Sequence, residues 1–174
     1  MSKTILAIDP GNKESGWCVI DSETRKPLRF GKNDNDTLRF AMLNSIYDHV
    51  AIEMVASYGM PVGAEVFDTC VWIGRLWERC ENAGKRELVY RKDVKLHHCG
   101  VTSAKDSNIR LALVDRFARG EKNYGKGTKK DPGFFYGFSA DMWQAFALAV
   151  YVADREAAQA RQDKMKARIG EALR

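Results

Sequence analysis

Hydrophobic positions along this chain follow two periods, and the switches between them mark its elements. The opening stretch KTILAIDPGNKESGW climbs through an apolar run to a carboxylate, Asp9, just before Pro10 and Gly11 force the backbone to turn. That pattern predicts a buried strand carrying a charge at its tip. Residues 15–21, SGWCVID, are rich in β-formers and follow after a short glycine-containing turn, as a hairpin partner would, and residues 26–31 continue the meander. A short helix near residues 37–45 leads into a second apolar climb, YDHVAIE over 47–53, which also ends on an acid, Glu53, before the turn-rich ASYGMPVG.

The period then becomes helical. Over residues 64–82, Val66, Cys70, Ile73, Leu76, Trp77 and Cys80 recur at helical spacing, and Gly84 supplies a C-cap. Residues 87–90 predict a short strand and RKDVKLHH a short basic helix. Ser103 caps a helix over 104–117 whose apolar stripe is Ile109, Ala112, Leu113 and Phe117. Between 119 and 138, glycine, lysine and aromatics mix without either period, which predicts a mobile loop. Ser139 caps a long final helix. Its AFALAVYVA part is nearly all apolar, whereas 155–174 is charged, with a weak stripe through Ala160, Met165, Ile169 and Leu173. The fold class expected is α/β, a mixed five-stranded sheet with an antiparallel meander and then parallel strands, flanked by helices. One domain over residues 1–156 and a charged helical tail over 157–174 complete the expected organisation.

Charge narrows the partners. A net charge of +5 and a pI near 9.0 favour a polyanion, nucleic acid first. Basic residues gather at Arg91, Lys92 and Lys95, at Lys105 and Arg110, and at Lys122, Lys126, Lys129 and Lys130. Together they suit salt-sensitive attraction to phosphate; any one alone also reads as solvated surface. The four cysteines show no CxxC spacing and read as free thiols of a reducing compartment. With no leader and no apolar run of bilayer length, a cytoplasmic protein that avoids membranes is expected. His97, His98 and Cys99 have no second pair at zinc spacing, which argues against a zinc site.

A third acid, Asp141, stands in the first turn of the final helix, with Gln144 one turn later on the same face. Singly, Asp9 reads as a turn starter, Glu53 as a surface acid and Asp141 as a complement to the helix dipole. Jointly, a strand tip, a second strand tip and a helix start point to a divalent cation. Such a hard ion prefers oxygen ligands and bridges to phosphate.

The segments AIDPG with SGW, AIEMVASYGMPVG, RKDVKLHHCGVTSAKDSNIR and SADMWQAFALA stand in the order and spacing of one known family. Over nearly its whole length the chain resembles the RuvC-type Holliday junction resolvases, above all their phage and prophage branch, within the RNase H-like nuclease superfamily. The resemblance implies an RNase H-like fold and magnesium, with manganese as an alternative, held by Asp9, Glu53 and Asp141 with Gln144 adjoining. It implies two-metal hydrolysis of four-way and other branched DNA by paired nicks, leaving 5′-phosphate and 3′-hydroxyl ends. A homodimer joined through the 64–82 helix is implied too, as is a setting in the cytoplasm of a prokaryotic host, with a phage genome as one source. Tyr58 and Met60 would stand in the turn from which the family wedges a side chain into the junction centre.

Two departures stand out. Cellular members carry two acids separated by two residues at the start of the last helix; this chain matches the first with Asp141 and has Gln144 at the second. The family's acid-then-lysine pair after SA appears reversed, as Lys105 and Asp106, so no lysine of that loop is assigned. Phe134, Phe135 and Tyr136 read either as base-stacking residues or as an anchor to the core, and Trp72, Trp77 and Trp143 as core or dimer contacts. Two other functions compete. AIDPGNKESGW is also like the first phosphate loop of actin-like ATPases, but that fold needs two domains and a second glycine loop that is not seen. A junction-binding protein with little or no nuclease activity fits the loss of charge at Gln144.

Overall fold

The computed structural model describes residues 3–42, 46–57 and 59–172. Tyr58, Leu173 and the end of the expected 37–45 helix lie outside the described residues. Strands β1 (Thr4–Asp9), β2 (Glu14–Asp21) and β3 (Pro27–Asp34) form the antiparallel meander. Strands β4 (His49–Met54) and β5 (Lys85–Tyr90) add in parallel on the other side of β1, giving the order β3-β2-β1-β4-β5. The expected mixed five-stranded sheet is the one observed.

Helices cover both faces, so the central strand shows no hydrophobic alternation. Ile5 and Ala7 of β1 pack on one side, Leu6 and Ile8 on the other, and all four are buried. Leu38 of α1 (Asn35–Met42) with Ile73 and Leu76 of α2 (Ala64–Arg79) close the second side. On the first side lie α3 (Arg91–Cys99), α4 (Asp106–Phe117) and the 33-residue α5 (Ala140–Ala172). The run from Ala145 to Val150 is buried all round because α5 crosses β1 and β2 beneath α3 and α4. Beyond Ala157 the same helix continues with every described residue exposed. Among the described residues no helix is long and apolar enough to cross a membrane.

Three local expectations change. α2 ends at Arg79, and Gly84 serves the next turn instead: a β-carbon there would lie 2.7 Å from the Asp48 carbonyl oxygen. α4 starts at Asp106, where the Lys105 N–H donates to Asn108 Oδ1 at 2.9 Å, so Asn108 and not Ser103 closes that helix start. The 119–138 segment is not a free loop. A 3₁₀ turn (Lys122–Gly125) and a bridge between Gly127 and Pro132 shape it. Phe135 and Phe138 are buried, with the Phe135 ring 4.4 Å from Trp143 and 5.5 Å from Phe146. Aromatic packing fixes what no periodicity foretold.

His97 and His98 act as clasps for α5. His98 Nε2 lies 2.8 Å from the Ala147 carbonyl oxygen, and burial pushes its pKa down to about 4, so it stays neutral. His97, Arg25 and Arg116 all converge on Asp154.

Candidate active site

Strand register places the site. Asp9 is the last residue of β1; Ile8 is level with Ile52 on parallel β4, so Asp9 and Glu53 leave the same sheet edge on the same face. Across the antiparallel strands, Asp9 pairs with Gly16 and Gly16 with Lys32, making one row over β1, β2 and β3. Side chains in such a row share a face, and glycine leaves a gap in it. Asp141 fills that gap. A β-carbon on Gly16 would lie 2.7 Å from the Asp141 carbonyl oxygen and 2.8 Å from its β-carbon, so the first turn of α5 reaches the sheet only because residue 16 has no side chain.

Asp9, Glu53, Asp141 and Gln144 line one cleft of about 660 Å³, together with Arg91, Asp106, Arg110, Tyr124 and Trp143. Burial and the neighbouring Glu53 push the Asp9 carboxyl up to about 8, with Asp141 and Asp106 adding to the rise and Arg91 opposing it. Burial also raises Glu53, against the pull of Arg91, whose Nη1 donates to Glu53 Oε2 at 2.8 Å. The other arm of that guanidinium donates to Asp106 Oδ1 at 2.6 Å. Burial disfavours the Arg91 charge, but the two acids outweigh it and hold the group above its usual range. Lys32 Nζ lies 2.7 Å from Asp141 Oδ2 and 3.1 Å from Glu14 Oε2, and the bond to Asp141 leads in raising the ammonium pKa.

Glu53 and Asp141 are therefore each drawn toward a side-chain cation. Among the described residues, no three carboxylate, imidazole or thiolate groups stand close enough together to hold an ion. The donor set still fits a hard divalent cation. Its members are all oxygens, Gln144 Oε1 is buried with no hydrogen-bond partner, and the Asp9 charge is disfavoured where added positive charge would relieve it.

Of the other residues expected at the site, Arg110 is in the cleft wall. Met60, Lys92, Lys95, Lys105, Lys129 and Lys130 do not line it. Met60 is 72% exposed in the segment after Glu53, Lys92 and Lys95 ride on α3, Lys105 precedes α4, and Lys129 and Lys130 lie exposed in the 119–138 segment. Sequence reasoning missed the bridging role of Arg91, the pairing of Lys32 with Asp141, and Tyr124. Gly16 within SGW was the one visible trace of close helix approach. Lys32 left none, since only the register of β2 and β3 brings it there.

Solved structures share this architecture. Thermus thermophilus RuvC superposes with a TM-score of 0.62 over 85% of this chain and 92% of its own, at 17% identity. T. thermophilus RuvC in complex with a Holliday junction substrate gives 0.63 over 86% and 92%, also at 17% identity. The fold is RuvC-like. At that identity the likeness shows the RNase H-like fold and nothing finer. No protein-family model matches the sequence, and no curated protein matches it.

Proposed function

We propose that this chain is a divalent-metal-dependent endonuclease that resolves four-way and other branched DNA. The observation that carries the reading is the convergence of Asp9, Glu53 and Asp141, from β1, β4 and α5, on one cleft where burial first, and then the neighbouring acids, disfavour the Asp9 charge. These three would hold magnesium, or manganese, with Gln144 as a neutral oxygen donor. Bound there, the metal would supply an activated water and a counter-charge for the leaving oxygen in phosphodiester hydrolysis. Arg91 and Lys32 pair with Glu53 and Asp141 and aim them, and the lysines outside the cleft, Lys92, Lys95, Lys105, Lys129 and Lys130, attract the DNA backbone. Met60, exposed beyond β4, and Tyr58 are the candidates for a side chain inserted at the branch point.

Branched DNA as substrate is supported by the similar T. thermophilus RuvC having a structure with a Holliday junction substrate. Paired cutting needs two sites, and α2 supports a homodimer: Phe67 and Val71, one turn apart, are 62% and 54% exposed on the face turned from the core. We read residues 157–174 as a charged tail to the nuclease domain, and the cytoplasm of a prokaryotic host as its setting.

A second reading, a junction-binding protein that does not cut, is favoured by the ion pairs that engage Glu53 and Asp141 and by the neutral Gln144. A labelled four-way junction incubated with magnesium and either the parent chain or Asp9→Asn decides between them. Paired nicks from the parent and none from the variant support the nuclease; a gel shift without nicks selects the binding protein.

A further inference from the structure

Two arginines line the cleft, and only one of them is spent. Arg91 is committed to Glu53 and Asp106, whereas Arg110 has no carboxylate partner among the described residues, and its Nε is buried without a hydrogen bond. Arg110 is instead held between two rings, its guanidinium carbon 4.4 Å from the centre of Tyr124 and 5.1 Å from that of Trp143. Contact with two rings restrains the guanidinium, which, having no carboxylate partner among the described residues, keeps its fork of donors for an oxyanion in the cleft it lines.

The chain spends conformational energy to hold Tyr124 there. Asn123 (φ 51°, ψ 48°) and Tyr124 (φ 54°, ψ 37°) are consecutive residues in the left-handed region, which asparagine tolerates and tyrosine rarely adopts. Gly125 (φ 74°) follows, and a β-carbon on it would fall 2.3 Å from Ala118 Cβ and 3.0 Å from Phe135 Cδ2. The Phe135 N–H donates to the Gly125 carbonyl at 2.8 Å, so the turn is fastened to a buried ring while Tyr124, 51% exposed, projects over Arg110. Strain of this kind persists where the surroundings over-determine it, and it gathers at binding sites.

We propose that Arg110 is a clamp for a DNA phosphodiester lying next to the one held at the carboxylates, and that Tyr124 is its positioning residue. The clamp rests on the reading of this cleft as a nucleic-acid site. A phosphate in the cleft that Arg110 lines accepts a charge-assisted bond from its guanidinium, while Glu53, Asp106 and Asp141 are turned to Arg91 and Lys32.

The test is fluorescence anisotropy of the full chain across a salt series without magnesium, on a four-way junction and on a short single-stranded oligonucleotide. Arg110→Ala is expected to weaken both about tenfold and to lower the salt slope by about one. Arg110→Lys should keep the slope and lose affinity. Tyr124→Ala should weaken binding only while Arg110 is present, so the double variant is no worse than Arg110→Ala alone, and Tyr124→Phe should restore what Tyr124→Ala loses. An unchanged slope in Arg110→Ala, additive losses in the double variant, or no recovery in Tyr124→Phe overturns the clamp. A parent that binds with this pattern yet never nicks a junction in magnesium sinks the nuclease reading and leaves the clamp standing. A parent that nicks junctions while Arg110→Ala binds normally does the reverse, and a parent that binds neither DNA overturns both.

Discussion

Gly16 and Asp141 occupy the same place in the row of residues that crosses the sheet beside Asp9: the β-carbon glycine lacks would stand 2.8 Å from the β-carbon of Asp141. Gly16→Ala should therefore push the start of α5 off the sheet and separate Asp141 from Asp9. Overpacking of this kind costs about 1–3 kcal/mol, so the variant should fold with a lowered melting temperature yet lose nicking activity far beyond its loss of stability. Thermal melts beside a junction-nicking assay check this; full activity with unchanged stability would show that the contact does not set the site.

Asp9 gives the metal-free protein a pH signature. Burial pushes its carboxyl up to about 8 in the folded state from an ordinary 3.8, so between these limits the folded state binds the extra proton and stability falls as pH rises. His98, depressed from 6.5 to about 4, acts oppositely between those two values, which leaves pH 6.5 to 8 as the window where Asp9 stands out. Urea midpoints should drop across that window in the parent and stay flat in Asp9→Asn. Asp9→Asn should also lose cutting while retaining junction affinity, and improve that affinity only above about pH 8, where the parent Asp9 is ionised and repels phosphate.

Arg91→Ala removes the guanidinium shared by Glu53 and Asp106 and leaves a buried acid without its cation. A loss on the order of 3 kcal/mol is expected in denaturant unfolding, with little rescue by Arg91→Lys because lysine cannot fork. A loss no larger than that of Asp106→Ala alone would mean that the Glu53 arm adds nothing.

Gln144→Asp should tighten magnesium binding by placing a carboxylate where a buried, unpartnered Oε1 now faces the cleft. Calorimetric titration is the measure, and an unchanged affinity would put residue 144 outside the coordination shell.

Phe67→Glu, on the exposed face of α2, should turn a dimer into a monomer in sedimentation runs and suppress paired nicks more than single ones. A parent chain that sediments as a monomer at every concentration would remove the dimer from the proposal.

Local patterns told the sequence reader where strands stop and helices start. The apolar climbs that end at Asp9 and Glu53, the turn signals after each, and the helical spacing behind Asp141 are written in consecutive residues, so the mixed sheet was legible from the chain itself, whereas the grouping of the three acids came mostly from the family resemblance. What long-range packing decides was not. The row from Asp9 through Gly16 to Lys32, the fork of Arg91 between Glu53 and Asp106, the burial of Phe135 and the poise of Tyr124 over Arg110 each join residues from different elements. Strand register, the distance of a helix from a sheet and the pairing of buried charges depend on the whole folded chain. Tertiary structure alone therefore settled which acids are already paired, and with which cations.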